Sequence, residues 1–353
     1  MNPKSLYLLP ALLLAHSAAL AAPKISDDLK PRSAEKVVYF KQNGKFGAKT
    51  ASGKIIVPAQ YNCEFMCEHG ETADGELLFL DSSREIRGKV AYSPFFLHSR
   101  QGRFLYQPMM YDAAADYFSE GKRRYVSKDG KVGFADRAGN LVTPAQHDWA
   151  GQFEYGYAEF CDDCREVRVD EEYTAVQGGT WGMMDARGNT VAPGDTRHAA
   201  SDIERNGKFY PHPFAYTAAE RDILQRINRY KNLIVGLDAV SHSPYKTAEE
   251  RAADRFEIVS QPVQGYPYYE IVLFDGKGNT VDGEYFLASA DGKRLYVLPV
   301  GDDTPQPLET YLRHAIRSTL AEQPERQKNG SWNDNPFRLK DYPEAKALLK
   351  RRK

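Results

Sequence analysis

The chain has 353 residues, with 47 Lys and Arg against 48 Asp and Glu, for a formal net charge of −1. So even a balance, with both signs spread along the chain, lacks the basic footprint that general nucleic-acid binding requires. The length allows two or three domains, each with a core of its own, and the excess of 22 Tyr over 3 Trp points to strand-rich cores and edges.

The first residues read as a targeting segment. Lys4 supplies a positive start, Leu6 to Ala15 an apolar stretch, and Ala19-Leu20-Ala21 a small-residue cleavage site, which gives a signal peptide over residues 1–21. Cleavage is expected after Ala21 or Ala22. The apolar run falls short of the roughly 20 residues that a spanning helix needs. No later segment reads as a transmembrane helix, and no cysteine follows the cleavage site to carry a lipid. The expected location is the periplasm, or the exterior as a secreted or cell-surface protein. Residues 22–38 are polar and read as a leader before the first strand.

Four segments then share their punctuation. Gly44-Lys45-Phe46-Gly47, Gly88-Lys89-Val90-Ala91, Gly130-Lys131-Val132-Gly133 and Gly179-Thr180-Trp181-Gly182 each open a unit, and their fourth residues are 44, 42 and 49 positions apart. Each opening is followed by a Gly-containing turn and a short β-run closing at Pro58, Pro108, Pro144 or Pro193. In the first three units an aromatic–polar pair comes next: Tyr61-Asn62, Tyr111-Asp112 and His147-Asp148. Two β-runs around a Gly turn form a hairpin, and the Pro is expected to end its ladder. A hairpin of this size cannot bury its apolar face alone, so the copies are expected to stack and share a core over residues 39–200.

The cysteines fall into two local pairs, Cys63 with Cys67 and Cys161 with Cys164. In an oxidising compartment an even count reads as structural disulfides, with three connectivities open. Asp162 and Asp163 would raise the thiol pKa of the second pair, opposite to what a reactive thiolate needs. The acidic run from Asp162 to Glu172 lacks the alternating ligand spacing of a calcium loop and reads as a solvated insertion. No metal or cofactor is expected.

Beyond residue 200 the character changes. Thr217-Ala218-Ala219-Glu220 is a capping-box signature ahead of Ile223, Leu224, Ile227, Tyr230, Leu233 and Ile234 at helical spacing. A second short helix is expected over Lys246 to Asp254. Strands follow at Phe256–Val259, Tyr268–Phe274, Gly283–Ala288 and Arg294–Pro299, with hairpin turns at Asp275–Asn279 and Ala290–Lys293. Helix plus antiparallel meander suggests a small α+β domain over 201–322, with a further helix at Leu308–Ala321 and a polar, basic tail over 323–353.

The recurring Gly-Lys-x-Gly, turn, Pro, Tyr-Asp and Phe-x-x-Gly elements resemble the WG repeat, over about residues 39–200. Only Trp181 keeps the tryptophan of that pattern, and Ala91 replaces a glycine. The resemblance implies a mainly β fold, an open antiparallel array of about four repeats capped by the α+β domain, with a small propeller as the alternative. It implies no reaction. No Gly-x-Ser-x-Gly elbow, His-Glu-x-x-His helix or phosphate-binding glycine loop is present.

The function expected is therefore a non-catalytic binding or scaffold role in the bacterial envelope, the repeats engaging another envelope protein. Two alternatives stand beside it. One is recognition of a glycan or peptidoglycan fragment, with Trp149, Trp181 and nearby tyrosines as stacking platforms, although Trp181 at its motif position is expected to pack in the repeat core. The other is an enzyme with its site in the C-terminal domain.

Overall fold

The computed structural model describes residues 36–68, 77–169, 174–199, 201–241, 252–281, 285–299, 304–328 and 336–350. The signal segment with Ala21 and Ala22, residues 246–251 of the helix expected over Lys246 to Asp254, and residues 351–353 lie outside them. Among the described residues the fold is mainly β, in small antiparallel sheets that form no closed barrel.

Three-stranded ladders recur. Val37–Gln42, Lys45–Thr50 and Ile55–Tyr61 form the first; Leu77–Leu80, Phe95–His98 and Phe104–Tyr106 the second. Lys122–Val126, Val132–Asp136 and Leu141–His147 form the third, and Trp149–Ala150, Tyr157–Asp162 and Thr180–Asp185 the fourth. The middle strand of the first three ladders and the last strand of the fourth leave through the same turn. Thr50, Ser99, Asp136 and Asp185 donate their amide to the residue four on and accept from a glycine three on. In the last two, the Asp carboxylate also accepts two loop amides at 2.8–2.9 Å and the Asn side chain at 3.0 Å, which locks the turn locally.

The motif glycine and the following proline form a single device. Opposite Gly47 and Gly133 the third strand is bulged, with register shifts between Phe46 and Ala48 and between Val132 and Phe134. A Cβ on Gly47 would stand 2.3 Å from the Val57 carbonyl oxygen, and one on Gly133 would stand 2.7 Å from the Ala145 amide. The bulged strand lies directly over the glycine, so a side chain there has no room. Pro58 and Pro144 sit inside this bulge. Each strand runs on to Tyr61 or His147, where the sequence had expected the proline to end the ladder. A prolyl residue is tolerated because the bulge leaves that position without a ladder partner.

The second unit differs from its sequence reading. Its middle strand is Phe95–His98, so Phe96 stands where Gly47 and Gly133 do; Gly88–Ala91 lies ahead of it, beside the two-residue ladder Ile86–Arg87 with Tyr92–Ser93. The apolar run Phe95-Phe96-Leu97 takes the buried strand and displaces the motif-like glycine. Gly88 instead meets Gly130 backbone to backbone, where a Cβ would be 2.1 Å from the Gly130 carbonyl oxygen. Tyr111 is exposed, unlike buried Tyr61 and His147, and Asp112 adopts a positive φ.

In the C-terminal region, Arg255–Ser260, Tyr268–Phe274, Tyr285–Ser289, Leu295–Leu298 and Gln306–Pro307 form a five-stranded meander. One face carries Phe256, Ile258, Ile271, Leu273 and Phe286 against four helices. Those helices are Ala218–Asn228, opened by the Thr217–Glu220 capping box, then Lys231–Ser241, Leu308–Lys328 and Pro343–Lys350. The expected single helix through Ile234 is thus two, joined at Arg229–Tyr230. The segment read as a tail contributes Phe337, Ala345 and Leu348 to this core, since the 345/348 spacing gives it one apolar face. The other sheet face packs Val259, Val272 and Phe274 against Tyr155, Tyr157, Ile203 and Tyr210.

Candidate functional site: an aromatic groove beside a buried charge network

Trp149, Cys161 and Trp181 are in register across three adjacent strands. Side chains alternate along strands, so Trp149 and Gly151, Glu159 and Cys161, and Trp181 and Met183 share one face. The two indoles lie 5.5 Å apart at 60°, and Trp181 donates its ring N–H to the Gly178 carbonyl at 2.8 Å. Trp181 is 40% exposed, so the core position expected from its motif is overturned. The reason is geometric: Gly182 next to it faces the packed side, where a Cβ would lie 2.4 Å from the Phe160 ring, and this turns Trp181 outward.

The indoles line an open groove of about 620 Å³. Its far wall is formed by Glu204, Arg205, Asn206 and Tyr210, from the Ile203–Arg205 and Lys208–Tyr210 hairpin, and by Lys277 and Asn279. The last two belong to the turn at Asp275, whose carboxylate accepts the Lys277 and Asn279 amides at 2.8 Å and the Asn279 side chain at 3.1 Å. This is the same turn as those at Asp136 and Asp185, recurring in the C-terminal sheet. A groove with flat aromatic surface and a rim of carboxylate, guanidinium, ammonium and amide groups has the make-up of a binding site.

The repeat units carry a recurring polar clamp. Lys131 donates to buried Asp148 at 2.7 Å and Lys45 donates to Asn62 at 2.5 Å, so the motif lysine clamps the residue after Tyr or His in both units. Asp148 also accepts from Lys89 and from the Asp163 amide. Burial alone would raise its pKa, but these donors outweigh it and hold the carboxyl below the ordinary range. His147 stacks on Phe160 with centroids 3.8 Å apart. Cys63 is bonded to Cys67 and Cys161 to Cys164, with Cα separations of 5.4 and 6.0 Å. Both Cα separations lie in the range that a disulfide spans.

Behind the groove, where the repeat turns meet the C-terminal sheet, charge is buried. Glu120 and Gly121 form the tip of a tight turn, both at positive φ, as do Tyr155 and Gly156. Glu120 accepts the Gly156 amide at 2.8 Å through one carboxylate oxygen; the other has no partner among the described residues. Burial pushes its pKa up to about 7 despite the nearby Lys122 charge and the turn amides. Burial likewise holds the Lys122 ammonium below its usual range. Arg137 donates to buried Glu270 at 2.5 Å and lies over the Phe118 and Tyr266 rings. Glu257 accepts from Tyr155 at 3.1 Å and from Tyr216, with His212 Nε2 2.8 Å away. Sequence reading missed this network because its members come from distant segments; the single local trace is the glutamate in Phe118-Ser119-Glu120-Gly121.

Residues 133–163 match the family described as WG containing repeat. This stretch of the chain carries a WG-type repeat, and the match begins at the bulge-covered Gly133 and includes Trp149. No curated protein matches it in sequence. A solved structure titled "Crystal structure of the eukaryotic initiation factor" aligns with 74% of this chain and 80% of that chain, at 9% identity and a TM-score of 0.14, a likeness that carries no argument.

Proposed function

We propose that this chain is a non-catalytic binding or scaffold protein of the bacterial envelope, exported by its N-terminal segment. Its small sheets act together as an open array of WG-type units over residues 39–200, and its partner docks in the groove of Trp149 and Trp181. The observation carrying this reading is the exposure of Trp181 beside Trp149, in a groove partly lined by Trp149, Gly151, Gln152, Glu154 and Glu159 of the matched stretch. Large flat aromatic side chains held by strands lose little entropy on binding and commonly anchor interfaces. Another envelope protein is the first partner to seek.

The test is cross-linking in the native envelope with the tagged chain and its Trp149→Ala/Trp181→Ala variant, read by mass spectrometry. One dominant protein partner, lost in the variant while the variant stays folded, is the expected result. A partner captured equally by both would remove the groove from the proposal. The paired indoles also favour a second reading, a glycan or peptidoglycan fragment as the ligand. Quenching or shifting of tryptophan fluorescence by muropeptides, abolished in the variant, would identify that ligand.

A further inference from the structure

The C-terminal region contains a second opening, which shares no lining residue with the tryptophan groove. It has a volume of about 570 Å³ and lies between the end of helix Ala218–Asn228, the turn before strand Leu295–Leu298 and the start of helix Leu308–Lys328. Its wall carries five cationic side chains, Arg226, Arg229, Lys293, Arg294 and Arg313, against a single carboxylate, Glu309. The whole chain has a net charge of −1, so this concentration of one sign is local.

The five are not equivalent. Arg226 is committed to structure, donating to Asp222 at 3.1 Å, to the Lys293 carbonyl at 3.0 Å and to the Gly292 carbonyl. It clamps the helix to the turn that carries Lys293 and Arg294. Lys293 lies 3.7 Å from Asp291. Arg313 donates to the Thr310 hydroxyl at 3.1 Å and so is oriented without being neutralised. Arg229, Arg294 and Arg313 have no carboxylate within ion-pair distance among the described residues. Glu309 is itself engaged by the Tyr230 hydroxyl at 2.7 Å.

Like charges gathered around one cavity repel, and an anion placed between them removes that repulsion and gains charge-assisted hydrogen bonds. Guanidinium is suited to phosphate, because its planar fork matches two oxygens at once. The remaining wall, from Leu295, Tyr296 and Pro307, is apolar and gives an organic group somewhere to lie. We infer that this pocket binds a small organic phosphate, with the phosphate held by Arg229, Arg294 and Arg313 and the organic part set against Leu295 and Tyr296.

The experiment is calorimetric titration of the full chain with ribose 5-phosphate and, separately, with inorganic phosphate at physiological salt. The expected result is saturable binding of ribose 5-phosphate, tighter than inorganic phosphate and weakened ten-fold or more in Arg229→Gln/Arg294→Gln. Both side chains are exposed, so the variant should keep its thermal midpoint. Arg313→Lys is a second variant, retaining charge but not the fork, and should also weaken binding. Lys277→Gln in the tryptophan groove should leave it unchanged. Absence of binding at millimolar ligand, equal affinity for inorganic phosphate, or full affinity in the double variant would each overturn the assignment.

Discussion

Replacing Glu120 by Gln should remove a loss of stability that this protein suffers between acid and neutral pH. In the folded chain the Glu120 carboxyl titrates at about 7, against 4.5 for an ordinary glutamate, with burial the main cause. Between these values the folded state holds a proton that the unfolded state releases, so the contribution of Glu120 to stability is fully present below about pH 4.5 and is lost as pH rises towards 7. The displacement corresponds to about 3 kcal/mol lost across that window, at 1.36 kcal/mol for each pH unit of separation. Gln keeps an acceptor for the Gly156 amide and stays neutral throughout. At pH 8 Glu120→Gln should therefore be the more stable protein, by about 1–3 kcal/mol once imperfect packing is allowed for. At pH 5 the two should be close, or the variant slightly weaker. Lys122, held low by burial, adds a slope of opposite sign at the alkaline end; the Glu120 charge opposes that lowering, so in the variant Lys122 should be held lower still. Urea unfolding followed by tryptophan fluorescence at pH 5, 6, 7 and 8 measures it. Parallel curves, offset by a constant, would refute the claim that Glu120 is buried with a displaced titration.

Two further outcomes follow from the same structure. Asp116→Ala should cost about 3–5 kcal/mol in denaturant unfolding, because it leaves the Arg124 guanidinium buried without the carboxylate it now grips at 2.8 and 2.9 Å; adding Arg124→Met should recover part of that loss, and no recovery would contradict the pairing argument. Each disulfide closes a loop of only a few residues, so reduction should cost about 2 kcal/mol per bond. Titration of the unfolded, unreduced chain should find no reactive thiol, and four would dismiss both bonds.

What the sequence determined by itself was local. The Asp–x–x–Gly–Asn turns at Asp136, Asp185 and Asp275 are written in consecutive residues, because one carboxylate caps the loop that follows it. The Thr217–Glu220 cap and the strand Tyr268–Phe274 were legible for the same reason, as were two local cysteine pairs. The pairing of motif glycine with proline was visible as a pattern, but its cause, a bulge crossing over Gly47 and Gly133, needed the strands in place. Only tertiary structure decided the rest. The register of the second unit went to the buried run Phe95–Leu97 and away from Gly88, since burial of apolar surface outweighs a resemblance to a turn motif. Trp181 faces the groove because Phe160 occupies the space behind Gly182, a contact between two strands 22 residues apart. Glu120, Lys122, Glu257 and Glu270 come from segments that share no local pattern. The altered proton affinities of Glu120 and Lys122 arise from the loss of water when the repeat turns meet the C-terminal sheet, which no single stretch of sequence records.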